Sequence, residues 1–372
     1  MVRLFCAGLL VCGAIGAASG ADRQACGTAE NFANPRMLAA MRRGVNLPGW
    51  NNADIARRPT LAQLQALRDE GFSHIRLPLD NRRLTGDREA YLDAMVEQIV
   101  FLLSLDYAIS LDLHPDGSVG RMFERDPREA EIYLSDIWAA IAARVRSFDP
   151  EQIALELLNE PQTDAVTWRK TAAALIVEIR RILPANTIVV GPSGPQRHEE
   201  LAAMPPFADG NIVYAVHFYD PFAFTHQGAD WGGPDDPIQY LKGLPFPASA
   251  ADEVMRRKIA ELSASGRQKS ATTLGRSLET PWTEEALAPA FDMMSAWSAK
   301  HSVPVIVNEF GVLSHVAPRQ SRLTWLAAVR RQAEERCLGW THWDFQDGFG
   351  LIDPATGMPD EGIMRALVPA AE

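Results

Sequence analysis

The run IALELLNEP, Ile153 to Pro161, is apolar until it breaks into Asn159, Glu160 and a proline. A second run, VPVIVNEFG from Val303 to Gly311, has the same plan and ends on Asn308, Glu309 and a glycine. Near-continuous apolar stretches of this length are the mark of strands buried on both faces of a parallel sheet. A polar residue at the end of such a strand is placed on the rim of an α/β barrel. These two runs therefore predict a barrel with one carboxylate on each of two strands.

Outward from them, strand and helix patterns alternate. Strands are expected over 43–47, 72–78 (ended by Pro78), 108–114, 153–159, 187–191, 212–217, 303–307 and 338–343. Helices are expected over 61–70, 89–104, 126–147, 166–183 and 321–336, with a short helical piece after the fifth strand. Eight strands in such alternation predict a single-domain α/β fold, a (β/α)8 TIM barrel. A long segment, about 219–302, follows strand six. It carries a Pro/Gly-rich loop, a charged helix over 251–263, a polar stretch and a helix over 284–300, and it reads as an insertion on the substrate side. An open doubly wound sheet is the alternative, but no Gly-rich phosphate turn follows an early strand.

The chain has 372 residues, 47% of them hydrophobic, which is enough for one large core. Its net charge of -11 disfavours nucleic acid and anionic membranes as partners. Arg3, the apolar run Leu4 to Ala18, and the small residues through Ala21 predict a cleaved signal peptide over 1–21. The mature chain, 22–372, is then expected to be secreted or periplasmic, off the membrane, and monomeric. Cys26 and Cys337 remain after cleavage, as a possible disulfide or as two thiols.

The strand ends deliver Asn46, Arg76, His114, Asn159, Glu160, His217, Tyr219, Glu309 and Trp343 to one bowl. Two carboxylates facing each other there are the usual machinery for cutting a glycosidic bond. No His-x-His pair lies on a strand, so no metal and no cofactor is expected. Trp50, Phe222, Phe224, Trp282 and Phe349 are candidates for either core or sugar platform, with Trp50 and Phe349 favoured as platforms and Trp340 as core. Glu156 and Asp112, on the same strand faces as Glu160 and His114, read as buried structural partners.

The segments RGVNLPGW, HIRLPLD, ISLDLH, LELLNEP, VHFYDPFAFTHQGADW, VNEFG and GWTHWDFQDGFG together resemble glycoside hydrolase family 5, the cellulase family. The resemblance implies that Glu160 is the general acid/base and Glu309 the nucleophile of a retaining hydrolase. It implies that Arg76 steadies Glu309, that Tyr219 bonds to it, and that Asn159 holds the sugar 2-hydroxyl. His114 and His217 would line the same subsite, and Trp343 would lie under a sugar. His226, Gln227 and Trp231 resemble a loop over the cleft of bacterial endoglucanases. Pro115 departs from the second histidine that many relatives carry after the strand-three histidine. Opposing carboxyls in a partly dry cleft predict a raised pKa for Glu160 and a low one for Glu309 beside Arg76. The implied substrate is a β-1,4-glucan polysaccharide or oligosaccharide. β-Mannan, β-1,3-glucan (hinted at by RGVNLPGW) and a non-catalytic sugar-binding barrel are the rivals.

Overall fold

The computed structural model describes residues 32–369. The expected signal segment and Cys26, and with it the possible bridge to Cys337, lie outside them. Eight parallel strands close into a barrel in chain order. They are β1 (Arg43–Asn46), β2 (His74–Asp80), β3 (Ala108–His114), β4 (Ile153–Glu156), β5 (Thr187–Val190), β6 (Ile212–His217), β7 (Val305–Glu309) and β8 (Gly339–His342). Closure is made at Gly44, which pairs with His74 on β2 and Thr341 on β8.

The barrel interior has two compartments. Its lower part is a small apolar plug of Ala108, Ala154, Val189, Val213, Ala215 and Ile306, floored by Phe32, Met37 and Met41. Above it lies a buried polar layer: His74, Arg76, Ser110, Asp112, Glu156, Asn308 and Thr341. The larger apolar core sits outside the barrel, where strands meet helices. Trp138, Trp168, Trp325 and Trp340 are fully buried there, Trp340 as expected. Strand alternation produces this division, because successive side chains point to opposite faces.

Several boundaries differ from expectation. β2 does not stop at Pro78 but runs on to Asp80. The Arg76 carbonyl points toward β1, accepting from the Leu47 N–H, so Pro78, two residues on, faces the same way. β1 has ended there, and a residue without an N–H orphans no donor. β4 ends at Glu156, three residues early. Residues 157–160 stay attached through single bonds, from Leu157 N–H to Val189 and from Asn159 N–H to Leu113. The two longest of the helices that were not expected are Gly117–Arg125, and Gln268–Ser277 within the insertion. The second buries only Ser270, Ala271 and Leu274, too little to give an apolar stripe.

Glycine is required where β7 hands over to its loop. A Cβ on Gly311 would lie 2.2 Å from the Trp343 carbonyl oxygen, a backbone atom that cannot move aside. Gly275, inside the helix Gln268–Ser277, has nothing within 4 Å of the same position. Gly311→Ala is expected to cost about 1–3 kcal/mol of stability by overpacking. Gly275→Ala is expected to gain about 0.5–1 kcal/mol from helix propensity. Urea unfolding of the two variants measures both.

Candidate active site

One guanidinium organises the bowl. Arg76 has no solvent exposure. Its Nε and Nη2 donate to the two oxygens of Glu156 at 2.7 and 2.8 Å. Nη2 also donates to Asn159 Oδ1 at 2.8 Å and pairs with Asp112 at 3.1 Å. Nη1 donates to Asn46 Oδ1 at 2.9 Å and to Glu309 Oε1 at 2.6 Å. The planar fork of five donors is thus fully used, as only arginine permits.

Glu309 closes β7 and is 5% exposed. Arg76 holds one of its oxygens, and the Tyr219 hydroxyl donates to the other at 3.0 Å. Glu160 lies past the end of β4 at φ 42, a left-handed conformation uncommon for a residue with a side chain. That turn lifts its carboxyl out of the polar layer, and its side chain is 40% exposed. His217 ends β6 between the two acids. Its Nδ1 is 2.9 Å from Glu160 Oε1 and 3.4 Å from Glu309 Oε2. Facing atoms of Glu160, His217 and Glu309 all lie within 4.8 Å of one another. This trio is the candidate metal cluster among the described residues, but both Glu309 oxygens already serve Arg76 and Tyr219. The donor set is that of a hydrogen-bonded acid pair.

Electrostatics corrects one expectation. Burial pushes the Glu160 carboxyl up, yet the His217 hydrogen bond and the charges of His217, His114 and Arg76 outweigh it and hold the pKa below the ordinary value. The opposite holds for His217. Burial pushes it down, but the Glu309 and Glu160 carboxylates win and raise it. Glu160 was expected to be raised and neutral; in the free site the proton sits on the histidine side of a coupled pair. Burial, with both glutamates nearby, pushes the Tyr219 phenol well above its usual range, so it stays a donor. His74 is driven down to about 3 by burial and Arg76, and sits neutral between Ser110 and Thr341.

Of the remaining expected residues, His114 and Trp343 meet at the rim. Their rings lie 5.7 Å apart and nearly parallel, with His114 Nδ1 2.9 Å from Asp112. Glu156 and Asp112 are the buried partners they were expected to be. His226 is the centre of an aromatic cluster, 3.9 Å from Phe222, 4.9 Å from Tyr219 and 5.9 Å from Trp231. Trp231, at the edge of that cluster, is 63% exposed. Phe224 and Trp282 are core.

Four residues expected to contact sugar are buried. Trp50 is buried, its indole N–H bonded to the Pro78 carbonyl and its ring packed on Tyr91, so it is core. Phe349 is buried behind Tyr219, His226 and Trp231, and supports that cluster rather than offering a face. Gln227 is sealed inside the insertion, where its amide bonds the backbone of Phe224 and Leu244. Asn46 is buried too, donating to the Asn308 and His342 carbonyls while its oxygen receives Arg76.

Two residues of the site were not anticipated. Asn308 donates to Glu156 Oε1 at 2.8 Å from inside β7; its place beside Glu309 in the sequence was the available signal. Asp344 follows Trp343 and accepts the Asp347 N–H, fixing the loop that carries Phe349. Burial, then the Asp347 charge, pushes Asp344 from 3.8 up to about 7. The folded state therefore holds this proton more tightly than the unfolded chain does. Its stabilising effect is complete below pH 3.8 and is lost as pH rises toward 7. Asp344→Asn is expected to match the parent near pH 4 and to be the more stable of the two at pH 8, in urea unfolding across that range.

A family profile for Cellulase (glycosyl hydrolase family 5) matches residues 38–348. The chain is 30% identical over 365 residues to Endoglucanase 3 of Fibrobacter succinogenes, an alignment covering 91% of this chain and 54% of that protein. It thus spans about half the length of that relative. It is 25% identical to Endoglucanase C of Acetivibrio thermocellus, over 83% of this chain and 92% of the relative. The structure of endoglucanase Cel5A from Thermotoga maritima shares the fold at a TM-score of 0.71 and 22% identity, over 91% of this chain and all of the other. With the barrel, the two glutamates and the match across 38–348 in agreement, the chain belongs to glycoside hydrolase family 5, the cellulases.

Proposed function

We propose that this protein is a retaining endo-β-1,4-glucanase in which Glu309 is the nucleophile and Glu160 the acid/base. The observation that carries the reading is the approach of Glu160 and Glu309 to within 4.8 Å about His217. Retaining pairs stand about 5–5.5 Å apart, whereas inverting pairs need about 6.5–9.5 Å to admit a water. The two carboxyls also differ in the way the chemistry needs. Both oxygens of Glu309 are aligned by Arg76 and Tyr219, while Glu160 is the more exposed and is held by His217.

In this mechanism an incoming glycosidic oxygen replaces His217 as the partner of Glu160. The proton held on Nδ1 passes to Glu160 and then to the leaving oxygen, as Glu309 attacks the anomeric carbon. Glu160, again a carboxylate, takes a proton from the water that releases the sugar from Glu309 and hands it back to His217 Nδ1 as the product leaves. Asn159 has its oxygen on Arg76, which leaves its amide N–H free to meet the 2-hydroxyl. Trp343 at the rim and exposed Trp231 at the edge are ring surfaces for sugar C–H faces.

The names of the two bacterial endoglucanase relatives favour a glucan over β-mannan, and the cellulase family supports a β-1,4 over a β-1,3 linkage. Rapid viscosity loss on carboxymethylcellulose, with none on galactomannan or laminarin, is the expected profile; loss only on galactomannan would make this a mannanase. Glu309→Ala should abolish turnover on an aryl β-cellobioside. Added azide should then yield the α-glycosyl azide, detected by NMR. If the azide product forms from Glu160→Ala with inverted configuration instead, the two roles are exchanged.

A further inference from the structure

Inside the barrel, beside His217, lies a glutamine that the chemistry above does not use. Gln196 follows β5 at φ 51, has no solvent exposure, and both its amide atoms are buried without a partner. Its backbone carbonyl accepts the His217 N–H at 2.9 Å, so the two residues are neighbours. The left-handed turn sends its side chain back into the barrel over Gly191. A Cβ on Gly191 would lie 1.8 Å from Gln196 Nε2, so this glycine is what admits the amide. Gly191 continues the inner face that Val189 occupies on β5, and His217 continues the inner face of Val213 and Ala215 on β6. The amide therefore fills the inner wall next to the histidine.

His217 has a matching need. Its Nδ1 edge faces the acids, while Nε2, on the far edge of the ring, is buried and also without a partner. The charged and titratable groups around the ring are Arg76 from β2, Glu156 and Glu160 from the β4 side, Tyr219 beyond β6, and Glu309 from β7. The inner positions on the β5 side are Thr187, Val189 and Gly191, which carry no charge. Gln196 is the polar side chain introduced on that side.

We propose that Gln196 is a positioning residue that closes the Nε2 edge of His217, directly or across one ordered water, and so holds the ring in place while it gains and loses a proton. An amide suits this task because it offers a neutral acceptor. Its oxygen accepts Nε2–H of the imidazolium. Because the proton that leaves is the one on Nδ1, the neutral ring keeps Nε2–H and the same oxygen still accepts it, more weakly than from the charged ring, whose hydrogen bond is charge-assisted. Neither state leaves a buried group unmatched, which would otherwise cost free energy at each proton transfer. The proposal rests on the acid/base reading of Glu160 and extends it to a residue outside the bowl.

The test is the titration of the His217 ring by 15N NMR, with its signal assigned by loss in His217→Asn. It is read beside the pH profile of kcat/KM on an aryl β-cellobioside. Gln196→Leu keeps the bulk and removes the polar atoms. It should lower the ring pKa by about one unit, a tenfold change in the acid constant, and move the basic limb of the profile to lower pH by the same amount. Gln196→Glu, a fixed acceptor, should move both upward. Gly191→Ala, which evicts the amide, should reproduce the Leu variant. The proposal is overturned if Gln196→Leu melts like the parent and its ring titrates like the parent. It is equally overturned, without any variant, if the parent Nε2 proton exchanges as fast as that of a solvent-exposed histidine. Absence of hydrolysis on every β-glycan would sink the glycosidase reading but leave the NMR titration to decide the role of Gln196.

Discussion

The structure depends on five N–H groups of Arg76 meeting five acceptors in a layer closed to bulk solvent. Two belong to Glu156, and one each to Asn46, Asn159 and Glu309, with Asp112 close by. These acceptors come from β1, β4 with its extension, and β7, so one side chain on β2 ties together strands from around the barrel. Buried ion pairs are poor sources of net stability, since desolvation offsets the attraction. What this one supplies is alignment. Removing any acceptor leaves a donor unmatched in that layer, so the carboxylate of Glu309 is held to one orientation by the whole network.

The same layer holds more negative groups than positive ones. Arg76 faces Asp112, Glu156 and Glu309, and the excess is met by protons. His114 is raised through its bond to Asp112 and His217 through Glu309 and Glu160, in each case against the downward pull of burial. A site built this way keeps a mobile proton on a histidine that touches both acids. In the proposed mechanism Glu160 is then ionised in the free protein and still acts as a donor once its partner changes.

Much of this was legible in the chain. β3 and β6 have the bounds their apolar alternation indicates, and every rim residue of the central trio was named from a strand end. The failures share a cause: sequence gives a residue's strand but not what stands in front of it. Trp50, Phe349, Asn46 and Gln227 lie on the right segments, yet each is covered by neighbours far away in the chain. Pro78 misled because a proline normally stops a strand, and its tolerance here depends on where β1 ends. The Glu160 pKa was misjudged because opposing carboxyls were weighed without the histidine wedged between them. Gln196 gave no signal at all, since its burial follows from one left-handed turn and one missing Cβ at Gly191.

The floor of the barrel has a consequence for the order of events. Phe32, Met37 and Met41 seal it beneath an apolar plug, and the layer above is packed with buried side chains. In the proposed mechanism, water bound for an ester on Glu309 would have no route from below and would have to come through the mouth that the departing half of the glucan still occupies. On that reading hydrolysis and transfer to a second sugar alcohol would compete for one doorway, and the residence time of the cleaved fragment would set the ratio of the two products.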